Sequence, residues 1–283
     1  MGLIKNWLVR GDCHGDFLWM NDLNPKKYIP EETGIIILGD AGINFYLNKT
    51  DYKKKKDIQN RGYHIYAIRG NHEARPQDIE GMETAFDTYV HGIVYYEPDF
   101  PNIRYFLDYG FYDIGGYNCL IIGGAYSVDK AWRLQRCMLT EETNIPKKSG
   151  WWANEQLSPE EMENCMRQIQ AFSATGKYID FIMTHTCPYS VEPRDMFLGF
   201  IDQSTVDDSM EHWMDEIMKT IHWNIWLFGH FHADRLERPH IEQYFNDIEE
   251  LDEIVKRWEK YDETGELDWW LQRSPNFSIE DRK

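Results

Sequence analysis

The sequence predicts an α/β fold built on parallel strands, and two observations carry that prediction. Three short apolar runs near the N-terminus each end in a polar turn: NWLVR before GDCHGD (residues 11–16), GIIIL before GDAG (39–42), and HIYAI (64–68) before RGNHE. β-Branched and aromatic runs of this length, bounded by glycine, read as buried strands. Their spacing is the second observation. Asp12 and Asp40 are 28 residues apart, and Asp40 and Asn71 are 31 apart. That is the length of one strand–crossover–strand unit, so the three strands are expected as parallel neighbours joined by crossover helices. The stretch DYKKKKDIQNRG (51–62) supplies part of one crossover, its lysines forming a solvated helix face.

The later elements follow from the same signals. IRYFLDYGFYDIGGYNCLIIGGAYSVD (103–129) has aromatic and branched runs broken by glycine, which predicts a hairpin or meander. Residues 130–150 are expected to be irregular. SPEE (158–161) then opens a helix: Ser158 caps it, Pro159 takes the first turn, and Glu161 completes a capping box. YIDFIM leads into THTCP (184–188), and NIWLF leads into GHFHAD (229–234), adding two strand-to-turn units. Between them SMEHWMDEIMKTI has the period of an amphipathic helix. Beyond residue 240 the chain turns acidic. Residues 1–240 are therefore taken as the main domain and 241–283 as a C-terminal extension packed on it.

Composition narrows the function classes. A chain of 283 residues, 42% hydrophobic and 15% aromatic, can bury a sizeable core. The formal net charge of −18 argues against bulk binding to nucleic-acid backbones or anionic membranes, while leaving room for a local positive site. The cysteines (Cys13, Cys119, Cys137, Cys165, Cys187) are odd in number and form no CxxC pair, so they read as reduced thiols. No signal-peptide pattern or apolar span of membrane length is visible, and position 6 is Asn where N-myristoylation expects Ser or Thr. The expectation is a cytoplasmic protein.

What remains is a constellation of polar side chains. Five strand ends offer Asp12 and His14; Asp40; Asn71 and His72; His185; and His230 and His232. Each alone passes for a turn residue. Together they gather at the carboxyl ends of apolar strands, where open α/β sheets bind ligands. Carboxylate, imidazole and amide oxygen form a mixed N/O donor set that suits Mn²⁺, Fe or Zn²⁺ without a thiolate. The D-x-H and H-x-H spacings put both members of each pair on one side of an extended segment. Seven ligands exceed what one tetrahedral zinc needs, whereas two metals sharing a carboxylate would use them all.

GDCHGDF, GDAG, RGNHE, THTCP and GHFH resemble, in order, the five signatures of the calcineurin-like metallophosphoesterase superfamily, over residues 7–234. The first and third are similar to those of its protein Ser/Thr phosphatase and diadenosine-tetraphosphate hydrolase branch. The resemblance implies a four-layer α/β/β/α sandwich of two mixed sheets flanked by helices. It also implies a binuclear divalent centre, Mn²⁺ first with Fe or Zn²⁺ as alternatives. By position, Asp12, His14 and His232 hold one ion, Asn71, His185 and His230 the other, and Asp40 bridges. His72 falls beside the leaving group as a protonated acid, and a hydroxide between the ions attacks phosphorus. The substrate is then a phosphorylated small molecule, nucleotide or phosphoprotein, with phosphate monoesters first and diesters or dinucleoside polyphosphates as alternatives. A non-catalytic metal-binding scaffold is the remote alternative. The sequence departs from the branch at one point: Ile43 and Asn44 stand where its second motif continues to Asp-Arg. Arg69, Arg75 and Arg133 are the candidate substrate-binding replacements, with Arg104 behind them. The segment from Lys130 to Gly150, with Trp132, Arg133, Arg136, Trp151 and Trp152 in or beside it, is a candidate lid.

Overall fold

The alternation of apolar side chains along the strands sorts the core into layers before any helix is placed. On the second strand Ile35 and Ile37 fall in one apolar cluster and Ile36 in another; on the ninth, Phe181 and Met183 part from Ile182 in the same way. A strand whose two faces are both apolar must be covered on both sides. The computed structural model describes residues 3–141, 150–197, 199–268, 270–275 and 277. Their strands are β1 (Asn6–Arg10), β2 (Thr33–Ile37), β3 (His64–Ala67), β4 (Glu83–Asp87), β5 (Gly92–Tyr96), β6 (Ile103–Phe106), β7 (Tyr109–Ile114), β8 (Tyr117–Ile122), β9 (Ile179–Thr184), β10 (Trp223–Phe228), β11 (Arg235–Arg238), β12 (Ile241–Gln243) and β13 (Ile248–Glu250). Their α-helices are α1 (Lys49–Arg61), α2 (Lys130–Glu141), α3 (Pro159–Ser173), α4 (Ser209–Thr220) and α5 (Leu251–Thr264).

One sheet has the order β13-β1-β2-β3-β6-β5-β4 and the other β11-β12-β10-β9-β8-β7. Both are mixed. β1, β2, β3 and β6 run parallel in the first, and β8, β9, β10 and β12 in the second. Val9, Ile36, Tyr66, Ile121, Phe181 and Leu227 meet between the sheets. Ile58 of α1 closes the outer face of the first sheet against Ile35 and Ile37. Ile169 of α3 and Met214 and Ile217 of α4 close the outer face of the second against Leu120 and Ile182. The expected two-sheet α/β sandwich is what forms.

Several local expectations hold. Ser158 and Glu161 make a reciprocal capping box at α3, and β1–β2–β3 are parallel neighbours in that order. Others need correction. The β1–β2 connection carries two short 3₁₀ turns, Leu18–Asp22 and Pro30–Glu32, in place of an α-helix. Residues 103–129 do not stay in one sheet: β6 lies beside β3, while the β7–β8 hairpin belongs to the other sheet. Residues 130–141, expected to be irregular, form α2. The lysines of α1 are not all solvated, because Lys55 is buried against Asn44 and Glu97. The stretch after residue 240 is woven into both sheets through β12 and β13, and Leu251, Ile254 and Trp258 of α5 join the intersheet core.

Candidate metal centre

Two neighbouring sheets deliver the ligand-capable side chains to one place. β1, β2 and β3 carry Asp12, His14, Asp40, Asn71 and His72 past their carboxyl ends, and β9 and β10 of the facing sheet carry His185, His230 and His232. Close approach depends on missing side chains. A Cβ on Gly70 would collide with the Asp40 carboxylate, and one on Gly39 with the His185 ring. The backbone is also strained here. His14, Asp40, His230 and His232 all have positive φ, between 45° and 67°, a region that costs a non-glycine residue about 1–3 kcal/mol and persists only when its surroundings impose it.

The distances define a tight cluster. His14 Nε2 lies 2.9 Å from His232 Nε2, and Asp12 Oδ2 lies 3.3 Å from His232 Nε2 and 3.7 Å from His14 Nε2. Asp40 Oδ2 is 3.7 Å from His185 Nε2, which itself is 2.9 Å from Asn71 Oδ1. The rings of His185 and His230 have centroids 4.9 Å apart. Among the described residues two groups have metal-binding spacing, Asp12–His14–His232 and Asp12–Asp40–His185. The carboxylate common to both is that of Asp12, although the resemblance gives the bridge to Asp40.

Each carboxylate accepts a backbone N–H through one oxygen. Asp12 Oδ1 accepts the backbone N–H of His230 at 2.8 Å, and Asp40 Oδ1 that of His72 at 2.8 Å. Both Oδ2 atoms are buried; that of Asp40 has no hydrogen bond among the described residues, and that of Asp12 faces His232 Nε2 at 3.3 Å. Burial would raise the Asp12 pKa, but His185 and His232 outweigh it and hold the group near 2. Burial, reinforced by the Asp12 charge, pushes Asp40 up. Burial lowers His14, His185 and His230, which favours neutral rings that keep a lone pair. His232 is raised, chiefly by its hydrogen bond to Asp12.

The donor set fits divalent cations. His185 gives its Nδ1–H to the Leu38 carbonyl at 2.8 Å, which leaves a bare lone pair on Nε2. That lone pair faces the Asn71 oxygen at 2.9 Å, acceptor against acceptor. With the unpartnered Asp40 Oδ2 alongside, a cation is what reconciles these atoms. Thiolates are not in play: burial pushes Cys13 up to about 12 and Cys187 well above the ordinary thiol range.

His72 and the arginines complete the site. His72 Nε2 faces Asn71 Nδ2 at 3.3 Å and Arg133 Nη2 at 3.5 Å. Burial, and then the Arg133 charge, lower its pKa to about 3, so the ring rests neutral and not as the protonated acid expected. Arg133 is held by Asp129, whose carboxylate accepts from Nε at 2.7 and 2.8 Å, and its Nη1 donates to the Gly150 carbonyl. Arg69 and Arg75 are turned inward, against their assignment to substrate. Arg69 bonds Asp108 and the Glu155 carbonyl. Arg75 bonds Glu161, Asp108 and the carbonyls of Asn154 and Gln156. Arg104 pairs with Asp87. Of the lid segment, residues 142–149 and the Arg136 side chain lie outside the described residues.

Sequence reasoning missed four residues around this centre. Asp129 stands one helical turn before Arg133, a legible i,i+4 pair. Lys54 folds back to the Gly42 carbonyl at 3.0 Å, beside the loops that carry His14 and Asp40. Ser127 follows another strand end, that of β8, and Asn71 Nδ2 donates to its Oγ at 2.9 Å. Glu155 is buried behind Ser127 and had no sequence signal of its own.

The family model described as calcineurin-like phosphoesterase matches residues 8–234. No curated protein matches the chain. Among solved structures it is similar to one crystal structure at 14% identity, with a TM-score of 0.45, over 88% of this chain and 96% of that one. It is also similar to a Thermus thermophilus protein at 14% identity and a TM-score of 0.36, over 80% of this chain and 81% of that one. A third is a phosphopantetheinyl hydrolase from Mycobacterium tuberculosis, at 11% identity and a TM-score of 0.34, covering 85% and 88% of the two chains.

Proposed function

Because the chain belongs to the calcineurin-like phosphoesterase family, and is thus a metal-dependent phosphoesterase, we propose that its substrates are phosphate monoesters. The observation that carries this reading is Arg133, a guanidinium fixed by Asp129 and aimed at the edge of the metal cluster beside His72. A terminal phosphate brings up to two negative charges and three free oxygens, a diester one charge and two. A fixed, planar cation therefore gains more from the monoester. Lys54, held at the Gly42 carbonyl beside the His14 loop, adds a second positive charge near the centre.

The chain's own residues divide the work as follows. Asp12, His14 and His232 form one arm of the centre, and Asp40, Asn71, His185 and His230 the other. Divalent ions held there, two Mn²⁺ with Fe or Zn²⁺ as alternatives, would polarise phosphoryl oxygens and lower the pKa of a water toward neutrality. Arg133 orients the phosphate. His72 faces the leaving oxygen; at rest its neutral Nε2 accepts from Asn71 and Arg133, so it donates to that oxygen only once the ring takes up a proton or turns. The phosphorylated partner is a small molecule, a nucleotide or a phosphoprotein.

The test is a panel of phosphomonoesters, phosphodiesters, dinucleoside polyphosphates and phosphopeptides, assayed with Mn²⁺ on wild type and Arg133→Ala. Monoesters should be turned over fastest, and the substitution should raise their KM more than that of diesters. Faster diester or polyphosphate cleavage, with no selective effect of Arg133→Ala, would refute the monoester reading.

A further inference from the structure

We propose that Glu155 and Ser127 form a positioning relay that holds the Asn71 amide with its oxygen turned into the metal centre. The inference rests on Asn71 being a ligand, as in the reading above. It adds two residues that touch neither the centre nor substrate.

The argument is one of hydrogen-bond polarity. Glu155 is 3% exposed and Ser127 and Asn71 are each 1% exposed, so water is not available to settle their bonding. The Glu155 carboxylate accepts the Ser127 backbone N–H at 3.1 Å on Oε1 and the Ser127 hydroxyl at 2.5 Å on Oε2. Burial raises the Glu155 pKa, opposed chiefly by its bonds from Ser127; the ionised carboxylate only accepts, so the hydroxyl proton is committed to it. Ser127 Oγ then has lone pairs alone to offer Asn71, and only the amide NH₂ can face it. The 2.9 Å contact from Asn71 Nδ2 is that bond. With Nδ2 fixed, Oδ1 must point the other way, onto His185 Nε2.

That orientation is not the one the metal-free site would choose. A flipped amide would donate Nδ2–H to the bare lone pair of His185, removing the acceptor–acceptor contact. The relay forbids the flip. It keeps an oxygen ready for a cation at the expense of an unfavourable contact without one, which is preorganisation of a ligand. Glu155 is itself anchored to the segment it serves: its carbonyl accepts from Arg69 Nη1 at 2.5 Å, and Arg69 stands two residues before Asn71. The residue therefore grips the Asn71 turn twice, once through backbone and once through Ser127.

The experiment is Mn²⁺ titration of the chelator-treated full chain by calorimetry, with thermal unfolding followed in the presence and absence of Mn²⁺. The variants are Ser127→Ala, Glu155→Gln, their double, and Asn71→Ala. Glu155→Gln is isosteric and keeps the test open should Ser127→Ala not fold. In both single variants one Mn²⁺ binding step should weaken about 10–100-fold, the size expected for loss of a residue that orients a ligand. The metal-free midpoint of Glu155→Gln should not fall, because the amide is released to satisfy His185, whereas Ser127→Ala also strips a buried carboxylate oxygen of its donor and should melt lower; in both the rise induced by Mn²⁺ should shrink. The double variant should bind no more weakly than the worse single, since both act through one amide. Wild-type affinity in the single variants, or additive losses in the double, overturns the relay while leaving Asn71 a ligand if Asn71→Ala loses an ion. Two ions bound at full affinity by Asn71→Ala would sink the ligand assignment, and the relay with it.

Discussion

Glu211 offers the sharpest link between the fold and a measurable pH dependence. It sits in the first turn of α4, fully buried, with Oε1 accepting from the Thr186 hydroxyl at 2.9 Å and Oε2 unpartnered among the described residues. Thr186 follows His185, so a charge on Glu211 would be trapped beneath the turn that carries a candidate ligand. Burial, only partly opposed by Thr186, raises its pKa from 4.5 to about 8. The sign follows directly. Between those pH values the folded chain keeps a proton that the unfolded chain has released, so stability falls as pH rises across the window and levels off above it. The upper bound of the loss is on the order of 4–5 kcal/mol, from about 1.4 kcal/mol for each pH unit that the window spans. Glu211→Gln keeps the shape and the acceptor for Thr186 but cannot ionise. Urea unfolding of both chains, metal-free, at pH 5 and pH 9 gives the comparison. The variant should match wild type at pH 5 and exceed it by several kcal/mol at pH 9. Parallel profiles, or a wild type that gains on the variant as pH rises, would refute the reasoning.

Three further outcomes are expected. Asp40→Asn puts an NH₂ group or a neutral oxygen where Oδ2 stands, and should cost at least one bound ion by metal analysis; two ions with unchanged turnover would remove Asp40 from the centre. Chelation should abolish hydrolysis, and Mn²⁺ should restore it better than Ca²⁺, whose oxygen-rich shell suits this imidazole-heavy site poorly; turnover by a verified metal-free sample would contradict the mechanism. His72→Asn should keep both ions, yet lower kcat for an alkyl phosphate by roughly 10²–10⁴-fold and for a nitrophenyl phosphate far less. Equal losses on the two esters would instead assign His72 to orienting Arg133.

The parts of this molecule visible in the sequence are those written in local pattern. Short apolar, β-branched runs that end in polar turns marked β1, β2, β3, β9 and β10, and each delivers its polar residues to the cluster. The capping box at Ser158 is read from four consecutive residues. Partner choice between sheets is not local. Nothing in residues 103–129 says that β6 joins one sheet and β7 the other, because both are short runs rich in aromatic side chains. The arginines fail for the same reason. Arg69 and Arg75 lie closest in sequence to the ligands, but Asp108, Glu161 and the carbonyls of residues 154–156 converge on them from distant segments. Arg133, 61 residues beyond His72 in the chain, is the one of the three beside it.

The placement of that arginine bears on how the site divides its tasks. Where the resembled branch has an Asp-Arg in its second motif, Ile43 is buried in the core and Asn44 accepts from Lys55. Those positions help hold α1 and leave no cation for substrate. An Asp–Arg pair faces the centre nonetheless, as Asp129 and Arg133 at the start of α2. The candidate ligands stand at strand ends of two packed sheets, with four of them held at positive φ. The candidate clamp stands on a helix end outside both sheets, backed by the Gly150 carbonyl. A cation carried on a separate element can be moved or replaced without disturbing carboxylates and imidazoles fixed by the strands. Substitutions in α2 are accordingly expected to act on substrate selection, and those at the strand ends on metal content.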